Sequence, residues 1–393
     1  MIRPLHLTLL FSACLLLVGC ATTLPEDYDR TASTAFDAPG ETELGRFFQA
    51  EIDAHPGESG MVLLPTGEWG FRARAGLANR AEKSIDLQYY IWEADTAGTI
   101  LAERILRAAD RGVRVRILLD HITTKATDFR FARMDIHPNV EIRIFNPFAN
   151  RRFRTLEFLF SLERLNHRMH NKAFIVDNAI AIVGGRNIGD EYFDADPRLA
   201  FKDLDVLLIG PVVSEVSDSF DGYWNSELSY PATALLERVP TEEEKREALR
   251  TLDAYVADAM DSDYLRALRD SDLANAMRSG TVRFLWGNAH VVQDEPEKII
   301  TARSRTDYHL VPQLAPYFRK IRDELLIFSP YFVPGKAGTA FLSGLSRRGV
   351  RVRVFTNSLA STDVPVVHSG YAKYRKDLLR AGVELYEIKA RPD

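Results

Sequence analysis

The feature that most constrains the fold is an internal repeat. Residues 82–120, EKSIDLQYYIWEADTAGTILAERILRAADRGVRVRILLD, and residues 323–357, DELLIFSPYFVPGKAGTAFLSGLSRRGVRVRVFTN, share one order of features. Each has an apolar β-run, the letters AGT before a predicted helix, the letters RGV at its end, and a second β-run. A further β-run follows in each copy, at 139–145 and 382–388. Strand, helix and strand in this order predict βαβ units around a buried sheet.

The repeat predicts an α/β fold and divides the chain of 393 residues into parts. The length suits two domains, each with its own core. The predicted parts, in chain order, are a lipoprotein signal peptide at 1–20, a flexible tether at 21–58, the first repeat at 59–240, a helical connector at 241–280, and the second repeat at 281–393.

The first residues have the pattern of a secretory signal. Arg3 precedes an apolar run at 7–18, which is too short to span a bilayer but has the length of a signal-peptide core. The letters LVGC ending at Cys20 resemble a bacterial lipoprotein cleavage box, in which the cysteine is lipidated. The next residue is Ala21 and not aspartate, which, by resemblance to bacterial lipoprotein sorting signals, implies the outer membrane rather than the inner one. We therefore expect a lipid-anchored protein of the cell envelope that faces the periplasm; the alternative is an ordinary signal peptide with a chance cysteine.

Composition restricts the classes of partner. Cys14 and Cys20 are the only cysteines, and both lie at the predicted signal, so the mature domain is expected to have no disulfide and no thiolate metal site. The net charge of -5 argues against a general nucleic-acid binder. No nucleic-acid partner is therefore expected.

The candidate catalytic residues lie in one segment, HRMHNKAFIVDNAIAIVGGRNIGDEYF, at 167–193. His170 and Lys172 are two apart on a predicted β-strand, so their side chains are expected on the same face. A glycine-rich turn then brings Asn187 beside them. A neutral imidazole is a competent nucleophile, while an ammonium and an amide can hold phosphoryl oxygens. This set predicts phosphoryl transfer through a phosphohistidine without a metal or other cofactor; the alternative is a buried hairpin that happens to carry polar residues.

The spacing H170-x-K172-x4-D177-x6-G184-G185-x-N187 resembles the HKD motif of the phospholipase D superfamily. The letters GGRNIGDEYF are similar to its bacterial cardiolipin synthase branch. The sequence departs from the usual pattern at Gly185, where serine is common, so one hydroxyl donor to phosphate is missing. The resemblance implies two tandem phospholipase D-like α/β/α sandwich repeats with mixed sheets.

The resemblance also implies roles for individual residues. It makes His170 the nucleophile or its general-acid mate, and Lys172 a ligand of the phosphate. Asp177 would support the histidine. The phosphate would also contact Asn187 and the backbone of Gly185. Glu191 would orient a histidine, with a solvated glutamate as the alternative.

The implied activity is that of a phosphatidyltransferase that makes cardiolipin from membrane phospholipids. Phosphatidylglycerol is the expected substrate, with phosphatidylethanolamine as a further donor. The alternatives are a phospholipase D or nuclease-type phosphodiesterase, in which water replaces the lipid alcohol, and an inactive membrane-tethered homologue. The sequence leaves the oligomeric state open.

The second repeat differs from the first in its motif. His368 has no lysine two residues later, and no H-x-K-x4-D follows the β-run at 382–388. Because the resemblance implies one HKD motif in each half, we expect the second repeat to be truncated and the chain by itself to have little activity.

Overall fold

The structure, a computed structural model, describes residues 24–121, 134–135, 137–148, 168–196, 200–236, 238, 240–259, 282–302 and 304–389. The predictions on the signal peptide and Cys20, and the second half of the predicted connector, lie outside these residues. The chain divides into two compact units, Met1–His309 and Leu310–Asp393. Within the described ranges, no helix combines the length and apolarity needed to cross a membrane.

The first unit consists of helices and strands in the alternating order that the sequence predicts. In chain order these are α1 (Glu43–Asp53), β1 (Ser59–Leu64), α2 (Gly67–Arg80), β2 (Ser84–Tyr89), α3 (Thr96–Asp110), β3 (Arg114–Asp120), β4 (Val140–Phe145), β5 (Ala173–Val176), β6 (Ile180–Gly184), β7 (Asp205–Ile209), α4 (Val212–Asn225), β8 (Ser229–Pro231), α5 (Glu242–Ala259) and β9 (Leu285–Gly287).

The strands of the first unit form one mixed sheet in the order β8-β4-β3-β2-β5-β6-β7-β1-β9. The pairs β2–β3 and β3–β4 are parallel, and the other pairs are antiparallel. This arrangement confirms the predicted α/β class with a mixed sheet. Strand β5 pairs with β2 rather than with β4, which precedes it in the chain. The residues just before β5 therefore lie at the end of β2.

Both faces of this sheet are covered. On one face, Leu77 of α2 and Ile105 of α3 pack in a core with strand residues such as Ile117. On the other face, Phe220 and Trp224 of α4 pack against apolar residues of β3 to β7. Strands buried on both faces are mostly apolar, which explains the near-continuous hydrophobic runs of β5 and β6.

The second unit repeats the parallel part of the first. Its elements are α6 (Leu310–Phe318), β10 (Glu324–Phe328), α7 (Gly335–Arg347), β11 (Arg351–Asn357), α8 (Pro365–Arg380) and β12 (Glu384–Ile388). The strands form a parallel sheet in the order β10-β11-β12. Helices α7 and α8 cover one face, where Leu345, Val354 and Leu378 are buried.

Strand register confirms the internal repeat. Ser84 lies opposite Arg114 in the first unit, and the equivalent pair in the second unit is Glu324 and Arg351. The next pair of strands matches in the same way, with Arg116 opposite Glu141 and Arg353 opposite Glu384. The two copies differ in their second layer. The face that α4 covers in the first sheet corresponds to a face of the second sheet with exposed Leu326, Phe328, Phe355, Tyr386 and Ile388.

The predicted flexible tether is corrected by the structure over much of its length. Helix α1 begins at the cap Thr42 and buries Leu44 and Phe48 in the first core. Residues 31–36 are also fixed by hydrogen bonds. Buried guanidinium groups need acceptors, and Arg116 donates to the carbonyl of Ser33 (2.8 Å) while Arg143 donates to that of Thr31 (2.7 Å).

The predicted start of the second repeat is also corrected. The β-run near 281–288 forms β9, which pairs with β1 at the edge of the first sheet. The compact units meet in sequence between His309 and Leu310, about thirty residues later than the predicted boundary. The physical reason is that β1 offers an unpaired edge, and a strand that pairs there satisfies its backbone groups.

Candidate active site

The candidate site lies where the three parallel strands of the first sheet end. Tyr90 follows β2, Asp120 ends β3 and Asn146 follows β4. In α/β proteins, ligands bind at the carboxyl ends of such strands. The segment before β5 crosses this edge and is held there by Asp120, whose carboxylate accepts hydrogen bonds from Arg168 Nε (3.1 Å) and the Met169 amide (3.0 Å). This contact fixes the backbone immediately before His170.

His170 and Lys172 come together at this edge, as predicted, although β5 begins only at Ala173. The Lys172 ammonium donates to the carbonyl of His170 (2.7 Å). Lys172 is buried, whereas His170 is exposed. The imidazole is therefore open to a substrate, while the ammonium is held below the surface at the backbone of the same residue.

The two side chains both have a lowered pKa. Protein atoms that crowd the inner side of the imidazole, and then the charge of Lys172, lower the pKa of His170 to about 4. Burial lowers the pKa of Lys172 to about 8, against the opposing effect of the carboxylates of Asp203, Asp120 and Asp205. At neutral pH the imidazole is therefore uncharged and the ammonium is mostly protonated. This is the combination that a nucleophile and a phosphate ligand require.

Asp203 is a site residue that the sequence reasoning missed. A methyl group on Gly185 would overlap the carboxylate of Asp203, so the two residues are in direct contact. The same carboxylate favours the charged form of Lys172. Position 185 is therefore glycine because Asp203 occupies the space that a serine side chain would need. The half-buried carboxylate of Asp203 therefore lies where the hydroxyl of the usual serine would be.

Asn187 is fixed at the end of β2 by the glycine turn. Its side-chain oxygen accepts a hydrogen bond from the Ile91 amide (3.1 Å), and the Ile188 amide donates to the carbonyl of Ile91 (3.1 Å). Because the oxygen of the Asn187 side chain is used in this way, its NH₂ group is the donor that can meet a phosphate oxygen. The position of Asn187 agrees with its predicted role, which stays a prediction.

Asp177 is far from the imidazole, and this corrects the expectation that it supports the histidine. It lies beyond the other end of β5, in the turn to β6, with a φ of 54°. Its buried carboxylate accepts hydrogen bonds from the backbone amides of Glu82 (3.0 Å), Lys83 (2.7 Å) and Ser84 (2.9 Å). Asp177 therefore fixes the beginning of β2 and acts in folding rather than at phosphorus.

Glu191 lies in a short 3₁₀ turn, Asp190–Tyr192, after the glycine segment. Burial, and then the neighbouring carboxylates of Asp95, Glu93 and Asp190, raise the pKa of its side chain against the effect of a backbone hydrogen bond. The charged groups that act on it are acidic. The proposed orientation of a histidine by Glu191 therefore stays a prediction without support from its surroundings.

The residues that the sequence reasoning missed come from separate strands. Tyr90 directly follows β2, Asp120 is the last residue of β3, and Asp203 lies two residues before β7. Their only signal in the sequence is position at a strand end, which is a weak signal without knowledge of the strand order. Among the described residues, no group of three or more His, Cys, Asp and Glu side chains is placed to hold a metal ion. The expectation that no cofactor is needed stays a prediction.

Comparisons with known protein families and with curated proteins agree on the family of this chain. Residues 76–224 match the family described as "Cardiolipin synthase, PLD-like domain". The chain is 44% identical to cardiolipin synthase C of Escherichia coli K12 over 336 residues, which are 85% of this chain and 70% of that protein. It is 33% identical to an uncharacterized protein of Helicobacter pylori 26695, over 97% of this chain and 75% of the relative.

The structure also aligns with the solved structure of the phosphatidylserine synthase of Haemophilus influenzae Rd KW20. The alignment covers 86% of this chain and 73% of the synthase, with 13% identity and a TM-score of 0.48. The family assignment depends on the sequence relatives, since the identity to the Escherichia coli protein extends over most of both chains. The chain belongs to the phospholipase D superfamily, in its cardiolipin synthase branch.

Proposed function

We propose that the protein transfers a phosphatidyl group between membrane lipids and forms cardiolipin. The observation that carries this proposal is the placement of the exposed His170 imidazole next to the buried Lys172 ammonium at the edge of the first sheet. The relationship to cardiolipin synthase C supports the choice of substrate class. Phosphatidylglycerol is the proposed acceptor, and phosphatidylglycerol or phosphatidylethanolamine the donor.

In the proposed reaction, an imidazole nitrogen of His170 attacks the phosphorus of the donor lipid. The bond from phosphorus to the headgroup oxygen breaks, and the headgroup alcohol departs with a proton from a general acid, the role that the resemblance assigns to the histidine of a second HKD motif. A hydroxyl of phosphatidylglycerol then attacks the phosphohistidine, loses its proton to the base that the first step created, and releases the neutral imidazole. The ammonium of Lys172 and the amide of Asn187 stabilise the charge on the phosphoryl oxygens in both steps.

The test uses vesicles of phosphatidylglycerol and the purified protein joined to a C-terminal segment that supplies a second H-x-K-x4-D motif, because little activity is expected of the chain by itself. We expect cardiolipin formation, measured by mass spectrometry, to fall by about a thousandfold or more in His170→Ala, because the nucleophile is lost. His290→Ala is the matched control, since the His290 side chain is 62% exposed and paired with Glu215, away from the strand ends. Near-normal turnover in His170→Ala would contradict the assignment of the nucleophile.

The same assay separates transfer from hydrolysis. In a transferase the acceptor is a lipid hydroxyl, so cardiolipin and free glycerol form in equal amounts. In a hydrolase, water takes the place of the acceptor, so phosphatidic acid accumulates instead. Phosphatidic acid as the main product would replace the proposed transfer by phospholipase D activity, with the same role for His170.

We also propose that Cys20 is lipidated and anchors the protein at the outer membrane, facing the periplasm. Support comes from the cleavage-box letters before Cys20 and from the lipid substrates proposed above. A diacylated anchor holds firmly, because each buried methylene contributes about 0.8 kcal/mol. The measurement is labelling of cells with radioactive palmitate, which we expect to be lost in Cys20→Ser. Equal labelling of the variant and the parent would contradict lipidation.

A further inference from the structure

Tyr90 contacts both side chains to which the proposed chemistry is assigned. Its ring centroid lies 4.8 Å from that of the His170 imidazole, with the two planes inclined by 53°. The Lys172 ammonium lies 5.4 Å from the centroid of the same ring. Both distances are within the range in which an aromatic ring interacts with a neighbouring ring or cation.

The placement of Tyr90 follows from the sheet. Strand β2 is antiparallel to β5, with Gln88 opposite Ala173, so the residue two places after Gln88 reaches the segment that carries His170 and Lys172. The backbone on either side of Tyr90 is fixed. Tyr89 is buried and accepts a hydrogen bond from Arg74 (2.9 Å), and the Ile91 amide is bound by Asn187. The pairing of β2 with β5 and the hydrogen bond from the Ile91 amide to Asn187 therefore hold the Tyr90 ring beside His170 and Lys172.

We propose that Tyr90 is a positioning residue, whose ring limits the orientations of the His170 imidazole and stabilises the protonated ammonium of Lys172. The inference rests on the proposed phosphoryl transfer. A ring beside an otherwise exposed imidazole restricts its rotation, which keeps a nitrogen directed at the substrate. The negative face of the ring attracts the buried ammonium. A phenylalanine would supply both effects, whereas an aliphatic side chain would supply neither.

The protonation of Lys172 depends on every group near it. The carboxylates of Asp203, Asp120 and Asp205 favour the charged ammonium, whereas burial opposes it. The carbonyl of His170 accepts a hydrogen bond from it. Removal of the Tyr90 ring leaves these groups in place. Leucine keeps an apolar group beside the ammonium, so the shift in Tyr90→Leu reports the loss of the aromatic face while most of the burial is retained.

The test compares Tyr90→Phe with Tyr90→Leu in the purified full-length protein. The titration midpoint of Lys172 is measured by NMR of ¹³C-labelled lysine, with the signal assigned by its loss in Lys172→Arg. We expect Tyr90→Phe to keep the parent midpoint and Tyr90→Leu to lower it by roughly half a unit, the size of a typical cation–π contribution. An unchanged midpoint in Tyr90→Leu would overturn the proposal.

Turnover provides the second measurement. We expect Tyr90→Leu to lower kcat at least about tenfold with little change in KM, and Tyr90→Phe to remain within about threefold of the parent. Tyr255→Leu is the matched control, because Tyr255 lies on α5 with 42% of its surface exposed. Circular dichroism checks the fold of each variant, and Tyr90→Met is a second ring-free variant should the leucine variant fail to fold.

The two measurements distinguish failure of this inference from failure of the proposed function. Absence of turnover in the parent protein with every phosphodiester would contradict the proposed function, while the lysine titration would still decide whether the ring stabilises the ammonium. Full turnover in both ring-free variants would overturn the positioning role and leave phosphoryl transfer intact.

Discussion

At the scale of single residues, burial decides how the site responds to pH. His170 and Lys172 lie two residues apart, and contact with protein atoms lowers the pKa of both, by burial for Lys172 and on the covered side of the imidazole for the exposed His170. The consequences for the proposed reaction are opposite, because that reaction uses the imidazole in its neutral form and the ammonium in its charged form. The useful pH range therefore lies between the two pKa values.

We predict a bell-shaped dependence of kcat/KM on pH. Activity should rise as His170 loses its proton near pH 4 and fall as Lys172 loses its proton near pH 8, with a plateau between about 5 and 7. In Lys172→Arg the guanidinium stays charged, so the alkaline decline should disappear even though the maximum rate is lower. An alkaline limb near pH 10 in the parent would contradict the lowered pKa of Lys172.

At the scale of secondary-structure elements, the β5–β6 hairpin has the candidate site at one end and a structural turn at the other. His170 and Lys172 precede β5, whereas Asp177 follows it in the turn. Asp177 and Asn178 both have positive φ values, 54° and 48°. Asp and Asn tolerate this conformation better than other residues with a side chain. The aspartate of the motif therefore serves the turn and the start of β2.

We predict that Asp177 contributes to stability and not to the rate of the chemistry. Asp177→Ala should lower the free energy of unfolding by about 3 kcal/mol, because it leaves three backbone amides without their charged acceptor and strains the turn. Asp177→Asn keeps an acceptor and the positive φ, so it should cost about 1 kcal/mol. Urea unfolding measures both changes. A stable Asp177→Asn protein without turnover would show that Asp177 acts in catalysis.

At the scale of the whole molecule, each compact unit has its own core. The cores of the first unit draw on α1 to α5 and the mixed sheet, and the core of the second unit draws on α7, α8 and the parallel sheet. Val354, in the middle of β11, is fully buried in the second core, whereas Val366 on α8 is 73% exposed. The two valines allow the same chemical change to be made inside and outside this core.

We predict that the second unit opens independently of the first. Val354→Ala should destabilise the second unit by about 2 kcal/mol and raise amide exchange in β10, β11 and β12 roughly thirtyfold, because the unit loses two buried methyl groups and gains a cavity. Exchange in β2, β3 and β4 should stay as in the parent. Val366→Ala should leave both regions unchanged. Equal acceleration in both sheets would show that the chain unfolds as one cooperative unit.

The sequence by itself determined the local units. The β-branched runs, the helical stretches and the glycines at RGV specify each βαβ copy through short-range preferences, and the shared strand register confirms that the copies are equivalent. The spacing of His170 and Lys172 also predicted that the two residues lie together, which the structure confirms, because that spacing depends on only three consecutive residues; their chemical roles stay a prediction.

Only the tertiary structure decided what surrounds that chemistry. The pairing of β5 with β2, instead of with β4, brings Tyr90 and Asp120 to His170 and Lys172, and the contact with Gly185 adds Asp203. The same pairing puts Asp177 against residues 82–84, away from the imidazole. Such contacts join residues far apart in the chain. They depend on the order in which strands assemble to bury both faces of the sheet, and local sequence preferences do not encode that order.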